Sequence, residues 1–155
     1  MGQSEEELER GDGPDPDHLA ARCAERMWSW DRASRSLGMV IEDVRAGAAR
    51  LSMTVRADMA NGHDFCHGGL IATLADSAFG YACNSRGPMT VAAGFTIDFL
   101  EPARIGDHLV AEAREVALRG RSGIYDVTVR RDDEVIAQFR GRSRSLDQPI
   151  LEDPH

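Results

Sequence analysis

The residues of this sequence that are best suited to chemistry lie between Asn61 and Asp76. Gly68 and Gly69 precede an apolar stretch with helical spacing, and Asp76 follows about two helical turns later. The first N–H groups of a helix have no partner within the helix and lie at the positive end of its dipole. Because glycine leaves them unshielded, they can hold a carbonyl oxygen as it becomes an oxyanion. A carboxylate that attacks the carbonyl or activates water completes the minimum requirement for ester or thioester hydrolysis.

The neighbours of Asp76 on this helix are small. The apolar residues form the opposite face: Ile71, Leu74, Ala75, Ala78 and Ala82. Gly69, Thr73 and Gly80 lie beside Asp76, where a solvated face normally carries long charged side chains. Glycine inside a helix costs about 0.5–1 kcal/mol relative to alanine, so these residues indicate close packing against another backbone or a ligand. We therefore expect Asp76 at a subunit seam, with a solvated face as the alternative.

The rest of the chain supplies the elements that must position this helix. The patterns predict a helix over 16–30, strands over 40–44 and 49–55, a long helix over 67–85, and strands over 90–100, 108–118, 124–131 and 135–145. Consecutive strands joined by short turns form an antiparallel sheet, on which the apolar helix must bury its face. We predict one α+β domain over 16–147, with an antiparallel sheet wrapped around the central long helix. A disordered acidic leader (1–15) precedes it and a flexible tail (148–155) follows it.

Three motifs carry a family resemblance. They are NGHDFCHGG (61–69), LADSAFGYACNS (74–85) and TIDFLEPARIGD (96–107). Together they resemble the hotdog-fold acyl-CoA thioesterases, and within them the phenylacetic acid degradation (PaaI) type. The similarity extends over residues 37–145. It implies a hotdog domain, which agrees with the order of elements predicted from the patterns alone.

The resemblance implies roles for four residues. Asp76 corresponds to the catalytic carboxylate, either as nucleophile or as general base on water. Gly68 corresponds to the residue whose backbone N–H polarises the thioester carbonyl, and Asn61 to the asparagine that positions the carbonyl or the water. His67 contacts the thioester or braces its loop. In this family Asp76 would act across a dimer seam with Asn61 and Gly68 of the partner, and dimers commonly pair into tetramers, so we expect a homodimer and a homotetramer.

Further residues are assigned to the substrate. Gly69 and Ser77 accompany the catalytic residues, and we expect Arg119, Arg121 and Ser122 to bind the phosphates of coenzyme A. A corresponding turn in the resembled family lies near the nucleotide end of CoA. An ordinary polar sheet face is the alternative interpretation of these arginines.

One position departs from the family pattern. Many relatives carry a hydroxyl residue near the start of the strand after the helix, where it is thought to hold the hydrolytic water. Ala93 and Gly94 supply none here. Thr96, Ser77 and Asn84 are the alternatives, unless the role is dispensable.

Other catalytic groups fit the sequence less well. His63, Asp64, Cys66 and His67 lack the spacing of an HExxH zinc site, and no distant pair completes a metal site. Cys66 has no orienting third group beside His67, and Ser77 lacks a GxSxG motif. We therefore predict no metal and no cofactor, since coenzyme A is part of the substrate.

The predicted reaction is hydrolysis of phenylacetyl-CoA or a hydroxylated relative, in phenylacetate catabolism. Medium-chain fatty acyl-CoA is the main alternative, because pocket residues decide the acyl group. A hotdog enoyl-CoA hydratase is disfavoured because Asp76 has no histidine within the next turns. A non-catalytic acyl-CoA binder is disfavoured by the presence of Asp76, Gly68 and Asn61.

Composition excludes other classes of protein. The 155 residues carry a formal net charge of -8, but residues 1–18 hold seven acidic residues against one arginine, a net charge of -6, so the acidity belongs mostly to the leader. All 18 basic residues are arginine, which excludes Schiff-base chemistry at a lysine. Three cysteines without a CxxC pair and the lack of a signal peptide favour a reduced, cytoplasmic protein. We expect no nucleic-acid partner and no membrane span.

Overall fold

The structure, a computed structural model, describes residues 13–152, so the leader prediction for 1–12 and the predicted tail at 153–155 lie outside the described residues. The elements are helices α1 (Pro16–Trp30), α2 (Arg32–Ser36) and α3 (Gly68–Cys83), a 3-10 helix (Ala57–Met59), and strands β1 (Val40–Arg45), β2 (Ala48–Thr54), β3 (Pro88–Phe99), β4 (His108–Arg119), β5 (Ser122–Arg131) and β6 (Glu134–Pro149). All the predicted helices and strands are present. Helix α2 and the 3-10 helix are additional, and β6 runs beyond its predicted end at Ser145.

The six strands form one antiparallel sheet in the order β1-β2-β4-β5-β6-β3. Strand β3 follows α3 in the chain but pairs with the last strand, with Ile97 opposite Phe139. Strands β1 and β3 are therefore the edges, and one side of β3 pairs with no strand of the described chain. Helix α3 contacts every strand of the sheet. The predicted α+β fold, a sheet wrapped around a central long helix, is confirmed.

The core lies between α3 and the sheet. The five residues of the predicted apolar face are all buried: Ile71, Leu74, Ala75, Ala78 and Ala82. The Phe79 ring packs against Tyr125 and Phe139, with ring centroids 5.6 and 5.7 Å away. Strand β6 passes directly beneath this ring at Gly141, where a Cβ atom would lie 2.8 Å from the ring carbons of Phe79. Glycine is therefore required at 141 for the helix to approach the sheet.

Asp31 joins the additional helix α2 to α3. One carboxylate oxygen caps α2 by accepting a hydrogen bond from the Ser34 N–H at 3.0 Å. The other accepts from the Tyr81 hydroxyl of α3, also at 3.0 Å. A second link joins the hydroxyl oxygens of Ser34 and Ser77 at 3.0 Å. These contacts hold the N-terminal helices against α3 at Ser77 and Tyr81. Ser77 is the residue that follows Asp76.

The end of β6 is held by the start of β3. Pro149 pairs with Pro88, and the Ile150 N–H donates to the Gly87 carbonyl at 2.8 Å. The Ile150 side chain is buried. The ladder therefore continues into the first residues of the predicted tail, 148–155, because β3 provides a partner there.

An ion pair fixes the C-terminal end of α3 on the sheet. Arg86 donates two hydrogen bonds to the Glu115 carboxylate on β4, at 2.9 and 3.1 Å. The Tyr125 hydroxyl donates to the same carboxylate at 3.0 Å. The hydrogen bonds from Arg86, followed by the one from Tyr125, lower the pKa of Glu115 against the opposing effect of its burial.

We expect Glu115 to make stability depend on acidity. A carboxyl group whose pKa is lower in the folded chain contributes stability above its unfolded value, about 4.3 for glutamate. This contribution is lost as the pH falls through the lowered value. Urea unfolding between pH 7 and about 3 should show a shallower loss of unfolding free energy in Glu115→Gln than in the wild type. The exposed Glu112 of the same strand provides the control, Glu112→Gln; equal slopes in all three proteins would contradict the prediction.

Candidate active site

Helix α3 begins with an open N–H group at Gly68. His67 caps the helix, and its ring Nδ1 accepts a hydrogen bond from the Gly69 N–H at 3.2 Å. The His67 N–H is bound by the Met59 carbonyl at 2.8 Å. The Gly68 N–H has no hydrogen-bond partner within residues 13–152. Gly68 thus supplies a free donor at the positive end of the helix, while the predicted contacts His67 and Gly69 are engaged with each other.

Asn61 braces the loop that leads to this helix. Its side-chain oxygen accepts hydrogen bonds from the His63 N–H at 2.9 Å and the Phe65 N–H at 3.2 Å. The turn between them passes through Asp64 at φ 62°, a left-handed conformation that aspartate tolerates. The carbonyl of the Asn61 amide is therefore occupied by the loop. Its NH₂ group has no partner in the described part of the chain and remains available as a donor.

Asn61 and Gly68 line the same pocket of about 290 Å³. The remaining lining is mostly apolar: Phe65, Cys66, Ile71, Phe99, Leu100, Glu101 and Pro102. The Phe99 ring lies against Gly68, where a Cβ atom would come within 3.2 Å of it, and this ring is 49% exposed. Phe99 was not predicted as a site residue. Its signal in the sequence was the pair Phe99–Leu100, since two consecutive apolar residues at the end of a strand cannot both face one core.

Asp76 lies on the half-buried side of α3 and does not line this pocket. Its carboxylate has no hydrogen-bond partner among the described residues, and burial raises its pKa. A purely solvated helix face therefore does not describe its position. Eight residues separate Gly68 from Asp76, about 12 Å along the axis at about 1.5 Å per residue. One carbonyl group cannot contact both within a single chain, so the structure does not bring these two predicted residues together in one protomer.

The predicted phosphate-binding turn lies at the opposite end of α3. Ser145 pairs with Thr90 and donates its N–H to the Arg121 carbonyl at 2.7 Å, and Thr90 is bonded to Asn84 just after the helix. The turn therefore lies towards the C-terminal end of α3, away from Gly68. Arg121 forms an ion pair with Asp147. Among the described residues, Arg119 donates only to the adjacent Leu118 carbonyl, at 3.2 Å.

Ser122, the third residue predicted to bind phosphate, pairs with both Arg119 and Arg144 in the ladder. Directly paired residues share one face of a sheet, so Arg119, Ser122 and Arg144 form a row. No acidic partner of Arg144 occurs in the part of the chain that the structure describes. Arg121, which faces Asp147 instead, is the member of the predicted set that is already neutralised.

Known proteins are similar to this chain in sequence and in fold. Residues 63–137 match the family model described as "Thioesterase superfamily". The acyl-coenzyme A thioesterase PaaI of Escherichia coli K12 is 42% identical over 130 residues, which cover 83% of this chain and 93% of the relative. The chain belongs to the thioesterase superfamily. It is therefore a thioester hydrolase, and the predicted PaaI-type resemblance is confirmed.

Solved structures place this thioesterase in the hotdog fold. The E. coli PaaI protein from the phenylacetic acid degradation operon has a TM-score of 0.85 at 40% identity, covering 87% of this chain and 99% of that chain. A mutant of the phenylacetic acid degradation protein PaaI from Thermus thermophilus has a TM-score of 0.73 at 36% identity, covering 75% and 100%. A Streptococcus mutans protein bound to acetyl CoA has a TM-score of 0.67 at 25% identity, covering 70% and 88%.

Of the three groups expected as alternatives for holding water in this thioesterase, Ser77 and Asn84 have other partners and Thr96 lies on the other face of the sheet. The Ser77 hydroxyl bonds to Ser34, so this predicted substrate contact faces α2. Asn84 donates to the carbonyls of Gly80 and Thr90, both at 2.9 Å, and accepts from the Thr90 N–H at 2.8 Å. Thr96 pairs with Arg140 on the sheet face that points away from α3. Asn84 is thus a clamp between α3 and β3, and Thr96 is separated from Asp76 by the sheet.

Metal binding and membrane insertion find no support in the described residues. Within residues 13–152, no three His, Cys, Asp or Glu side chains lie close enough to hold one metal ion. The candidates His63, Asp64, Cys66 and His67 form no such group there. None of the described helices is long and apolar enough to cross a membrane.

Proposed function

We propose that this thioesterase hydrolyses phenylacetyl-CoA, or a hydroxylated relative, to the free acid and CoA in phenylacetate catabolism. The observation that carries the proposal is the pair of free donors, the Gly68 N–H and the Asn61 NH₂, on one mostly apolar pocket. Two hydrogen-bond donors directed at one carbonyl oxygen stabilise the charge that develops during acyl transfer. The E. coli and T. thermophilus relatives are proteins of phenylacetic acid degradation, which supports the acyl group, and the S. mutans protein bound to acetyl CoA supports CoA as the carrier.

The proposed reaction uses these donors and one carboxylate. The thioester carbonyl oxygen accepts from Gly68 and Asn61 while the Asp76 carboxylate attacks the carbonyl carbon or removes a proton from an attacking water. The carbon–sulfur bond then breaks and CoA leaves as its thiolate, which is protonated by solvent. If Asp76 attacks directly, water hydrolyses the mixed anhydride and restores the carboxylate. Overall, one thioester and one water give one acid and one thiol, and no cofactor is proposed.

A second copy of the chain is proposed to complete the site. Asp76 is about 12 Å from Gly68 along its own helix, so the carboxylate that meets the Gly68 pocket comes from a partner subunit. Strand β3 offers a suitable seam because its outer edge is unpaired in the described chain. It also exposes large apolar residues: Val91, Phe95, Phe99 and the adjoining Leu100. We propose a homodimer across this edge, pairing further into a homotetramer as the resemblance implies.

The outer row Arg119, Ser122 and Arg144 is proposed to bind the phosphates of CoA. Guanidinium groups bind phosphate through paired hydrogen bonds, and both arginines are exposed without an acidic partner in the described chain. Arg119→Gln should raise KM for phenylacetyl-CoA several-fold without changing kcat. The control substrate is phenylacetyl-pantetheine, which lacks the nucleotide. A KM change of the same size for both thioesters would show that Arg119 does not contact the phosphates.

The test of the proposed function is a substrate panel. CoA release is followed with a thiol reagent for phenylacetyl-, hydroxyphenylacetyl-, benzoyl-, hexanoyl- and lauroyl-CoA. A preference for the phenylacetyl compounds supports the proposal. A preference for hexanoyl- or lauroyl-CoA would replace it with a medium-chain fatty acyl-CoA thioesterase of the same mechanism. No release from any of them would indicate an acyl-CoA-binding protein without catalysis.

The oxidation state of the three cysteines is relevant to the cellular compartment of the protein. Cys23, Cys66 and Cys83 are all free and buried. Burial raises the pKa of the Cys66 thiol beside Gly68, which keeps it protonated and poorly nucleophilic. We propose a cytoplasmic location, where thiols stay reduced and CoA esters are formed. Disulfide bonds at these cysteines, found in protein purified from its natural source under alkylating conditions, would contradict a cytoplasmic location.

A further inference from the structure

Glu101 lines the pocket that also contains Asn61 and Gly68. It follows Leu100, and the N–H groups of both residues donate to the Ile136 carbonyl, Leu100 at 2.8 Å and Glu101 at 3.3 Å. Glu101 is exposed, and its carboxylate has no hydrogen bond or ion pair within residues 13–152. The backbone at Glu101 is therefore fixed on β6, while its carboxylate is free to bind a ligand in the pocket.

The segment that follows β3 is tied to the loop that precedes α3. The Cys66 N–H donates to the Ala103 carbonyl at 2.8 Å, and Phe65 pairs with Arg104 in a short antiparallel bridge. The Arg104 guanidinium lies over the Phe65 ring, 4.9 Å from its centroid. These contacts join the two sides of the pocket, so they hold Glu101 at a fixed place relative to the two oxyanion donors.

Glu101 supplies the proton acceptor that the pocket otherwise lacks. The Asn61 oxygen already accepts from two N–H groups of its own loop, and Gly68 contributes an N–H donor. The Cys66 thiol donates to the His67 carbonyl at 3.7 Å, and burial raises its pKa, which keeps it protonated. The other side chains that line the pocket are apolar. Glu101 is therefore the only carboxylate that the described chain presents to this pocket.

We propose that Glu101 is a further catalytic residue, which holds the hydrolytic water and removes its proton. This inference rests on the proposed function, in which Asp76 of a partner subunit reaches the Gly68 pocket. No hydroxyl residue fills this role, because Ala93 and Gly94 supply none. One water occupies about 30 Å³ in the liquid, so a pocket of about 290 Å³ has room for the thioester carbonyl and a water beside it.

This assignment gives the two carboxylates different tasks and makes Asp76 the nucleophile. Asp76 attacks the thioester carbonyl carbon, the carbon–sulfur bond breaks, and CoA leaves as its thiolate. Water then attacks the carbonyl carbon of the mixed anhydride, and its proton passes to the Glu101 carboxylate. The bond between that carbon and the Asp76 oxygen breaks, which releases the acid and restores the Asp76 carboxylate. Glu101 finally gives its proton to solvent.

Glu101→Gln separates the two steps, because glutamine keeps the size of glutamate but cannot remove a proton from water. Rapid mixing with phenylacetyl-CoA should release one CoA per active site at a rate close to that of the wild type. The steady-state rate that follows should be lower by about 10²–10⁴-fold. Protein quenched in acid should carry the phenylacetyl group on the peptide that contains Asp76. The exposed Glu112 of β4 provides the control, since Glu112→Gln should behave as the wild type.

A small carboxylate added in solution should replace the missing base. Glu101→Ala leaves space for formate, so its steady-state rate should rise with the formate concentration. The same formate should not restore Asp76→Asn, in which the nucleophile itself is lost. A residue that only braced the pocket would not give this rescue. Sedimentation of each variant is measured alongside.

Three results would overturn the role of Glu101 while leaving the proposed function intact. The first is a steady-state rate in Glu101→Gln equal to that of the wild type. The second is a slow first turnover without a trapped acyl group, which would show that Glu101 does not act on an anhydride. The third is dissociation of the Glu101→Gln dimer, which would show that Glu101 holds the seam. A wild-type enzyme that releases no CoA from any thioester of the panel would instead refute the proposed function, and the role of Glu101 with it.

Discussion

Replacing Asp76 with asparagine is expected to abolish most of the thioesterase activity while making the folded protein more stable at neutral pH. Asparagine has the shape of aspartate but can neither attack a carbonyl nor accept a proton from water, so kcat should fall by about 10²–10⁴-fold. The carboxylate is half-buried without a described partner, and its pKa is raised by burial. Neutral pH therefore charges a group that its surroundings disfavour.

The sign of the stability effect follows from the raised pKa. An acid with a higher pKa in the folded chain supports folding while it is protonated, below its unfolded value of about 3.9. That support is lost as the pH rises through the raised value. Asp76→Asn should therefore have a higher urea midpoint than wild type at pH 7, and the difference should vanish near about pH 4. The acidic limb of the wild-type kcat/KM profile should likewise have its midpoint above the ordinary value for aspartate.

Asp98 provides the matched control for both measurements. It is an exposed aspartate on β3, and Asp98→Asn should change neither activity nor the urea midpoint. An Asp76→Asn enzyme that releases CoA at the wild-type rate would exclude Asp76 from the chemistry. A variant that is inactive but less stable than the wild type would show that the carboxylate has a stabilising partner, and the subunit seam would be the place to look for it.

Asn61→Asp is expected to lose activity without losing stability. Aspartate keeps the side-chain oxygen that accepts from the His63 and Phe65 N–H groups, so the loop remains braced. It lacks the NH₂ donor and places a negative charge where the oxyanion forms. Removing one oxyanion donor costs about 10²–10³ in kcat, and the added charge should place Asn61→Asp at or beyond the upper end of that range.

Asn61→Ala is the companion variant, since it removes both the donor and the brace. Each lost hydrogen bond is worth about 0.5–1.5 kcal/mol, so Asn61→Ala should unfold at lower urea than Asn61→Asp while being similarly inactive. Wild-type kcat in Asn61→Asp would mean that Asn61 acts only through the loop. The KM for phenylacetyl-CoA separates a loss of positioning, which raises it, from a loss of oxyanion stabilisation, which lowers kcat.

Mixing the two inactive variants tests whether the site is shared. If Asp76 of one subunit meets Asn61 of the other, a dimer with one Asp76→Asn chain and one Asn61→Asp chain has one intact site and one doubly altered site. Random exchange between equal amounts of two variants gives half mixed dimers, and activity should recover to about a quarter of wild type. No recovery after verified exchange would place both residues in one protomer, against the proposed seam.

Local patterns were sufficient to predict most of the secondary structure. The period of apolar residues along α3 predicted which side is buried, because that pattern depends only on neighbours three and four residues apart. The alternation along β5 and β6 likewise predicted strands. Helix α2 was missed because its cap, Asp31, is held by Tyr81, a contact between residues far apart in the chain. No window of sequence around residues 31–36 contains that information.

The predicted site residues also fall into two groups, those whose neighbours are close in sequence and those whose partners are distant. The loop and helix start, from Asn61 to Gly68, were predicted as a unit and the structure places both on one pocket, since they are close in sequence. Ser77 and Arg121 were assigned to substrate by residue type, but Ser34 and Asp147 engage them. These partners are 43 and 26 residues away. Whether a polar side chain is free or already bound is a property of the fold, which a motif does not report.

The sequence by itself determined that this chain forms an apolar helix with a free glycine N–H at its start, a carboxylate two turns later, and strands enough to enclose it. The rise of a helix then kept those two groups apart. The tertiary structure decided the order of the strands, with β3 paired to β6 and its other edge left open. Strand order depends on pairings between distant segments, each of which buries the same kind of alternating face. Only the folded sheet therefore reveals the open edge.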